Sequence, residues 1–190
     1  MAKIGLKNIY VAKMLTESPT ETTYTTPRKI SKAMTANISP NVNSANLPGD
    51  DQIQETIEEL ESVSVEIGIN DLNLEDHAYL LGKTVDSQGG VTDSIYDEAP
   101  YVALGYEVPL TKGRKRMTWL FKGKFALPSE QDQTKQGSPS FQTPTISATF
   151  IPREDGEWRY RLESNETNGA IINNWFNAVQ EEPEPVNQED

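Results

Sequence analysis

His77 is the only histidine in the chain, and there is no cysteine. A Ser–His or Cys–His nucleophile pair would therefore have to use His77. No Gly-x-Ser-x-Gly turn is present to expose a serine. His77 falls on the polar side of a short helical pattern, where a surface or partly packed role is the simplest reading. The lack of cysteine excludes disulfides, thiolate metal sites and cysteine nucleophiles. Asp50, Asp51, Glu55 and Glu58 could gather round a Ca²⁺ ion, but their spacing is not that of an EF-hand loop. A solvated acidic run explains them better. Asp97–Glu98 could supply paired carboxylates, as any acidic turn could. No phosphate loop or dinucleotide fingerprint occurs. The residue types predict no enzyme, no cofactor and no metal centre.

The composition narrows the class further. The chain has 190 residues, a formal net charge of -12 and 35% hydrophobic residues. That length suits one domain, placed here at residues 1–180. The acidic, Pro-containing stretch 181–190 is expected to be disordered. Net acidity argues against gripping nucleic acid, which needs clustered Lys and Arg to neutralise phosphates. The opening MAKIGLKNIYVAKML is interrupted by Lys3, Lys7 and Lys13, so it is not a signal peptide. No window reaches the length of an apolar membrane span. A soluble protein made in the cytoplasm is expected.

The elements that must carry these residues are mostly strands. Tyr101–Leu110 alternates Val102, Leu104, Tyr106, Val108 and Leu110. Met117–Leu127 alternates Met117, Trp119, Phe121 and Phe125. The basic turn Thr111–Arg116 joins them as a hairpin. Ile4–Leu15 predicts a first strand or arm, and Glu17–Thr26 a loop. Ile30–Ile38 puts Ile30, Lys32, Met34, Ala36 and Ile38 on one face. Ile57–Ile69 alternates Val63, Val65, Ile67 and Ile69 with polar residues. Between these two strands, Ser39–Gln52 carries two prolines and reads as a long structureless tip. Leu74–Leu81 predicts a short helix, with Asn73 as N-cap, Gly82 as left-handed C-terminal residue, and Leu74, Ala78 and Leu81 packing on a sheet. Pro128–Ser140 reads as a polar loop. Phe141–Ile151 and Glu157–Glu163 read as strands. Ile171, Ile172, Trp175, Phe176 and Val179 mark an amphipathic helix. The fold class is mainly β: a sandwich or partly open barrel with one short flanking helix and a C-terminal helix.

Several of these stretches, in order, resemble the phage major tail proteins of the phi13 type. They are IGLKNIYVAKM, LEDHAYLLGK with a following GGV, DEAPYVALGYEV, MTWLFKGKFALPSEQDQTKQGSPSFQTPTISATFI, DGEWRY and IINNWFNAV. The resemblance spans almost the whole chain. It departs at the tip, where Leu47–Pro48–Gly49 precedes Asp50 in place of an aromatic residue. It implies a tail tube subunit of a long, non-contractile phage, assembled in the host cytoplasm and located in the virion. Six subunits would form a ring, and rings would stack head to tail into a channel for DNA. Tape-measure and tail-terminator proteins are the implied partners. DNA would only pass through, and no membrane is bound.

On that implication the polar faces of the long hairpin acquire a role. Thr35, Asn37, Ser62, Ser64 and Glu66 are expected to face the channel, with Thr143, Thr145, Ser147 and Thr149 as second-rank candidates. Residues 39–52 are expected to reach an adjacent ring. The contact set is Asn43, Leu47, Asp50, Asp51 and Glu55 on one side and Lys112, Arg114, Lys115 and Arg116 on the other. Two alternatives stand beside this. One is a tail terminator or other virion ring of similar fold. The other is a β-sandwich that binds carbohydrate or a receptor with Trp119, Trp158 or Trp175 as platform. All three Trp lie on apolar sides of their patterns, which favours core packing.

Overall fold

The computed structural model describes residues 2–30, 33–49, 52–128 and 143–183. Nine strands and two helices run in the order β1 (Lys7–Glu17), β2 (Thr22–Tyr24), β3 (Arg28–Lys29), β4 (Ala33–Gly49), β5 (Gln52–Ile69), α1 (Leu74–Leu81), β6 (Val102–Pro109), β7 (Lys115–Phe125), β8 (Thr145–Ile151), β9 (Arg159–Glu163) and α2 (Gly169–Asn173). The strands form one antiparallel sheet ordered β2-β1-β6-β7-β8-β5-β4, with β3 added to β1 and β9 to β7. No helix among the described residues is long and apolar enough to cross a membrane.

β6 and β7 are the middle of this sheet and are buried on both faces. Val102, Leu104, Tyr106 and Val108 join Ile9, Val11, the β5 row Val63, Val65, Ile67 and Ile69, and the β8 residues Ile146, Ala148 and Phe150 in one core. The sheet curls so that its β5–β8 part covers this face of its β1–β6–β7 part, giving the sandwich or partly open barrel the alternation predicts. On the other face of β6 and β7, Ala103, Met117, Trp119 and Phe121 meet Ile172 and Trp175 from the C-terminal segment. Phe176 completes that layer, stacking on Tyr10 at 4.3 Å between ring centroids and meeting Trp119 edge-on. Trp119 and Trp175 are fully buried, and Trp158 is partly buried with the Arg159 guanidinium 4.0 Å over its ring. The aromatic platform of the carbohydrate-binding alternative therefore has two of its three rings inside the core.

Several expectations need correction. Phe125 does not share a face with Met117, Trp119 and Phe121. It lies in the opposite core beside Leu120. The pairing steps from Leu104↔Leu120 to Val102↔Gly123, so β7 gains one residue against β6 and the alternation inverts. Met34 is exposed while Ala33 packs inward, because the β4–β5 register shifts between Ala33 and Thr35. Thr22–Tyr24, read as loop, is a strand on β1. Leu74 is exposed, and Leu80 replaces it on the buried face of α1. The cap prediction holds: the Asn73 side chain accepts from the Asp76 backbone N–H, and Gly82 is left-handed at φ 71°. A Cβ at Gly82 would also meet the Glu98 carbonyl at 2.3 Å. α2 covers only Gly169–Asn173, and Trp175 and Phe176 reach the core from the turns after it.

The largest correction is at the tip. Residues 39–49 are not a structureless loop but continue β4, paired with β5 from Ser39↔Ser64 to Gly49↔Gln52. Pro40 and Pro48, read as breakers, sit in the edge strand of the sheet. There a proline's missing N–H costs no ladder hydrogen bond on the open side. Asp50, Asp51, Lys32, residues 129–142 and residues 184–190 lie outside the described residues. Glu181, the first residue of the acidic stretch 181–190, is ion-paired to the buried Arg153.

Candidate channel face and assembly surfaces

The candidate surface is built by register. On β5, the alternation that buries Val63, Val65 and Ile67 must turn Ser62, Ser64 and Glu66 outward. Antiparallel partners share a face, so Asn37↔Glu66, Ser39↔Ser64 and Asn41↔Ser62 extend the same surface onto β4. Ser64↔Thr149, Glu66↔Ser147 and Gly68↔Thr145 extend it onto β8. Thr35, Asn37, Ser64 and Glu66 are exposed, Ser62 is half-exposed, and Thr143, Thr145, Ser147 and Thr149 are exposed. The first-rank and second-rank candidates thus fall on one face, except that Thr143 precedes β8. Asn41 donates to both Ser62 and Ser64 hydroxyls at 3.0 Å, which ties these short polar side chains together across the two strands.

β4, β5 and β8 contain no Lys or Arg. The face therefore offers amides, hydroxyls and the Glu66 carboxylate. Its next strand adds Lys124, paired with Thr149 across the ladder. Lys124 is neutralised in place by Glu98 at 2.8 Å. That pair holds the Glu98 carboxyl below its ordinary range and raises the Lys124 ammonium. Neither Lys124 nor Glu98 is among the residues expected on this face. The missed signal is the inversion in β7, which puts Lys124 on the polar face.

Beyond Val42↔Leu60 the β4–β5 pair has no third strand among the described residues, because β8 meets β5 only from Val63 to Gly68. The two strands continue alone to Gly49↔Gln52. At about 3.3 Å per residue, this arm projects roughly 25 Å. Val42 and Ile57 stand exposed on it with Glu58 and Glu59. Isolated two-stranded hairpins are marginal in water.

Of the basic residues expected to meet the arm's acids, most already face acids of their own chain. Arg116 donates from Nε and Nη2 to Glu163 at 2.9 and 2.6 Å. This holds the Glu163 carboxyl below its ordinary range. Arg114 lies 3.9 Å from the same carboxylate, and Lys115 lies 3.6 Å from the buried Glu107. Lys112, at φ 64° in the turn, has no such partner among the described residues. Strand directions also fix polarity. β6 ends at Pro109 where β7 begins, and through β8 the antiparallel order brings the arm's tip to that same end of the sheet. α1 and the segment leading into β6 lie at the opposite end.

His77 is half-buried, and its Nδ1 has no hydrogen-bond partner among the described residues. Among the described residues no group of acidic, His or Cys side chains is placed to hold a metal. No curated protein matches this chain. The model of one family, phage tail tube protein, matches residues 1–117, from the first strand through the basic turn into β7. That match covers more than half of the sequence and includes the arm and the β4–β5 part of the polar face. The chain therefore belongs to the phage tail tube protein family, and it is a structural component of the virion tail.

Proposed function

We propose that the chain, as one domain over residues 1–180, forms hexameric rings that stack head to tail into the tube of a long, non-contractile phage of the phi13 type. The polar face of β4, β5 and β8 lines the channel. The observation that carries this is the absence of any Lys or Arg from those three strands, combined with the internal neutralisation of Lys124. Such a wall is wetted but offers no phosphate neutralisation, so DNA slides past without adhering. The chain performs no catalysis and uses no cofactor. Tape-measure and terminator proteins bound the tube.

The 17-residue β4 supports ring formation, since its outer edge is paired by no strand among the described residues. An edge of that length is a template for another strand, and six subunits joined edge to edge would close the channel wall. The arm, through Asn43, Leu47, Asp50, Asp51 and Glu55, reaches the adjacent ring. Because the arm and the basic turn lie at one end, direct pairing between their charges would form within a ring.

The test uses the absence of native cysteine. Ser64→Cys and Glu66→Cys are labelled with a bulky thiol reagent in free subunits and in assembled tubes. Labelling is expected to slow at least tenfold on assembly, because the reagent must enter through the tube ends. Equal rates in both states would place the face outside and overturn the assignment.

A further inference from the structure

Ile95 and Tyr96 are among the most exposed large apolar side chains described in the protein, at 92% and 87%. They are not on a loose loop. The Ser94 backbone N–H donates to the Asp97 carboxylate at 2.8 Å, and the Tyr96 N–H donates to the Ser94 hydroxyl at 3.2 Å. The Asp97 N–H returns to the Ser94 carbonyl at 3.1 Å. The closed turn holds the two side chains outward. Glu98 behind it is anchored by Lys124, and Asp93 ahead of it is ion-paired to Lys83. Both cations are thereby used, while Asp97 faces no cation among the described residues. The result is a rigid apolar knob with an acidic rim.

The opposite end of β6 carries the complement. Ile4 is 66% exposed and is fixed by its backbone N–H to Pro109 O at 2.9 Å. Lys3 bridges to Leu110, and the Thr111 N–H donates to Ala2 O, so the N-terminal segment lies against the basic turn. Lys3, Lys7 and Lys112 are exposed and have no ion-pair partner among the described residues. This is an apolar spot with a basic rim.

We infer that the Ile95–Tyr96 knob of one copy seats on the Ile4 patch of the next copy along the tube axis. The inference rests on the tube reading and names the surfaces that stack. Two features select a second copy as the occupant. The apolar centres match, and the rims are opposite in charge, which favours this contact over knob-to-knob or patch-to-patch docking. The two surfaces also lie at opposite ends of one strand. A contact between unlike surfaces at opposite ends propagates head to tail without closing on itself.

The experiment puts a cysteine at each surface, as Ile4→Cys with Tyr96→Cys in one full-length chain. Both positions are exposed, so neither substitution disturbs the core. β6 spans eight residues between them, about 26 Å, and a disulfide requires Cα atoms within about 7 Å. No bridge can form inside one subunit. Oxidation of assembled protein, followed by non-reducing electrophoresis, is expected to give a ladder from dimer upward, collapsing on reduction. Each single-cysteine variant is expected to stay monomeric. Ile95→Ser with Tyr96→Ser is expected to shorten tubes severalfold, and high salt to shorten them further. Tubes that form normally but give no ladder would overturn the docking and leave the tube reading standing. Dimers alone would overturn it too, because they mark a like-to-like contact. Failure of the unsubstituted chain to form tubes would count against the tube reading itself, and this inference would fall with it.

Discussion

Gly105 pairs directly with Trp119, and a Cβ there would lie 2.6 Å from the indole ring. Trp119 is fully buried and cannot move aside. Gly105→Ala is therefore expected to cost about 1–3 kcal/mol, the usual range for overpacking, read as a lower melting temperature. Leu81→Ala is expected to cost about 2–5 kcal/mol. Leu74→Ala, on the exposed side of the same helix, should stay within about 0.5 kcal/mol. Equal effects of the two would contradict the placement of α1. The charged residues set a pH dependence. Glu163, Asp93 and Glu98 each have a carboxyl held low, chiefly by the hydrogen bond from Arg116, Lys83 and Lys124 respectively. A depressed folded-state value means the unfolded chain binds protons first. Stability from these groups is thus full above the ordinary carboxylate range of about 4 and is lost as pH falls below it. Thermal melts from pH 6 to pH 3 should show a falling midpoint, with a shallower fall in Glu163→Gln. At this scale the sequence was informative wherever one side chain decides the outcome. Asn73 and Gly82 cap α1 as their types require. Lys124 was illegible because its face depends on a bulge three residues away.

At the scale of elements, the legible strands were those whose two faces differ most. Val63–Ile69 and Val102–Leu110 bury the alternating rows that their patterns announce. The errors come from register. One extra residue in β7 turns Phe125 away from Trp119, and a shift in β4 turns Met34 outward. Period-two reading carries no information about such shifts. The arm was misread for a different reason. Its asparagines and prolines are the vocabulary of loops, yet pairing with β5 and an open outer edge accommodate both. The arm contributes little to the subunit's own core, since Val42 and Ile57 are exposed. Replacing residues 44–58, between the paired Asn43 and Glu59, with a two-residue Asn-Gly turn is expected to leave the melting temperature nearly unchanged. The same variant should stop growth beyond single rings, checked by sedimentation. Normal tube length would remove the arm from the contact between rings.

At the scale of the whole molecule, the sheet divides its work. The β6–β7 centre is covered on both faces and holds the domain together. The β4–β5–β8 side keeps one face on the core and turns the other to water without a single basic residue. The chain ends and connections form two unlike poles, one with the basic turn, the N-terminus and the arm, the other with α1 and the acidic knob. That polarity suits a subunit that repeats along an axis. It was half legible: the acidic and basic runs are plain in the sequence, but that the strands bring both to the same pole follows only from strand direction. Cryo-electron microscopy of tubes assembled from the purified chain is expected to show a hollow sixfold tube whose channel wall carries Asn37, Ser64, Glu66 and Ser147. A reconstruction with those residues on the outer surface, or buried between subunits, would contradict that placement.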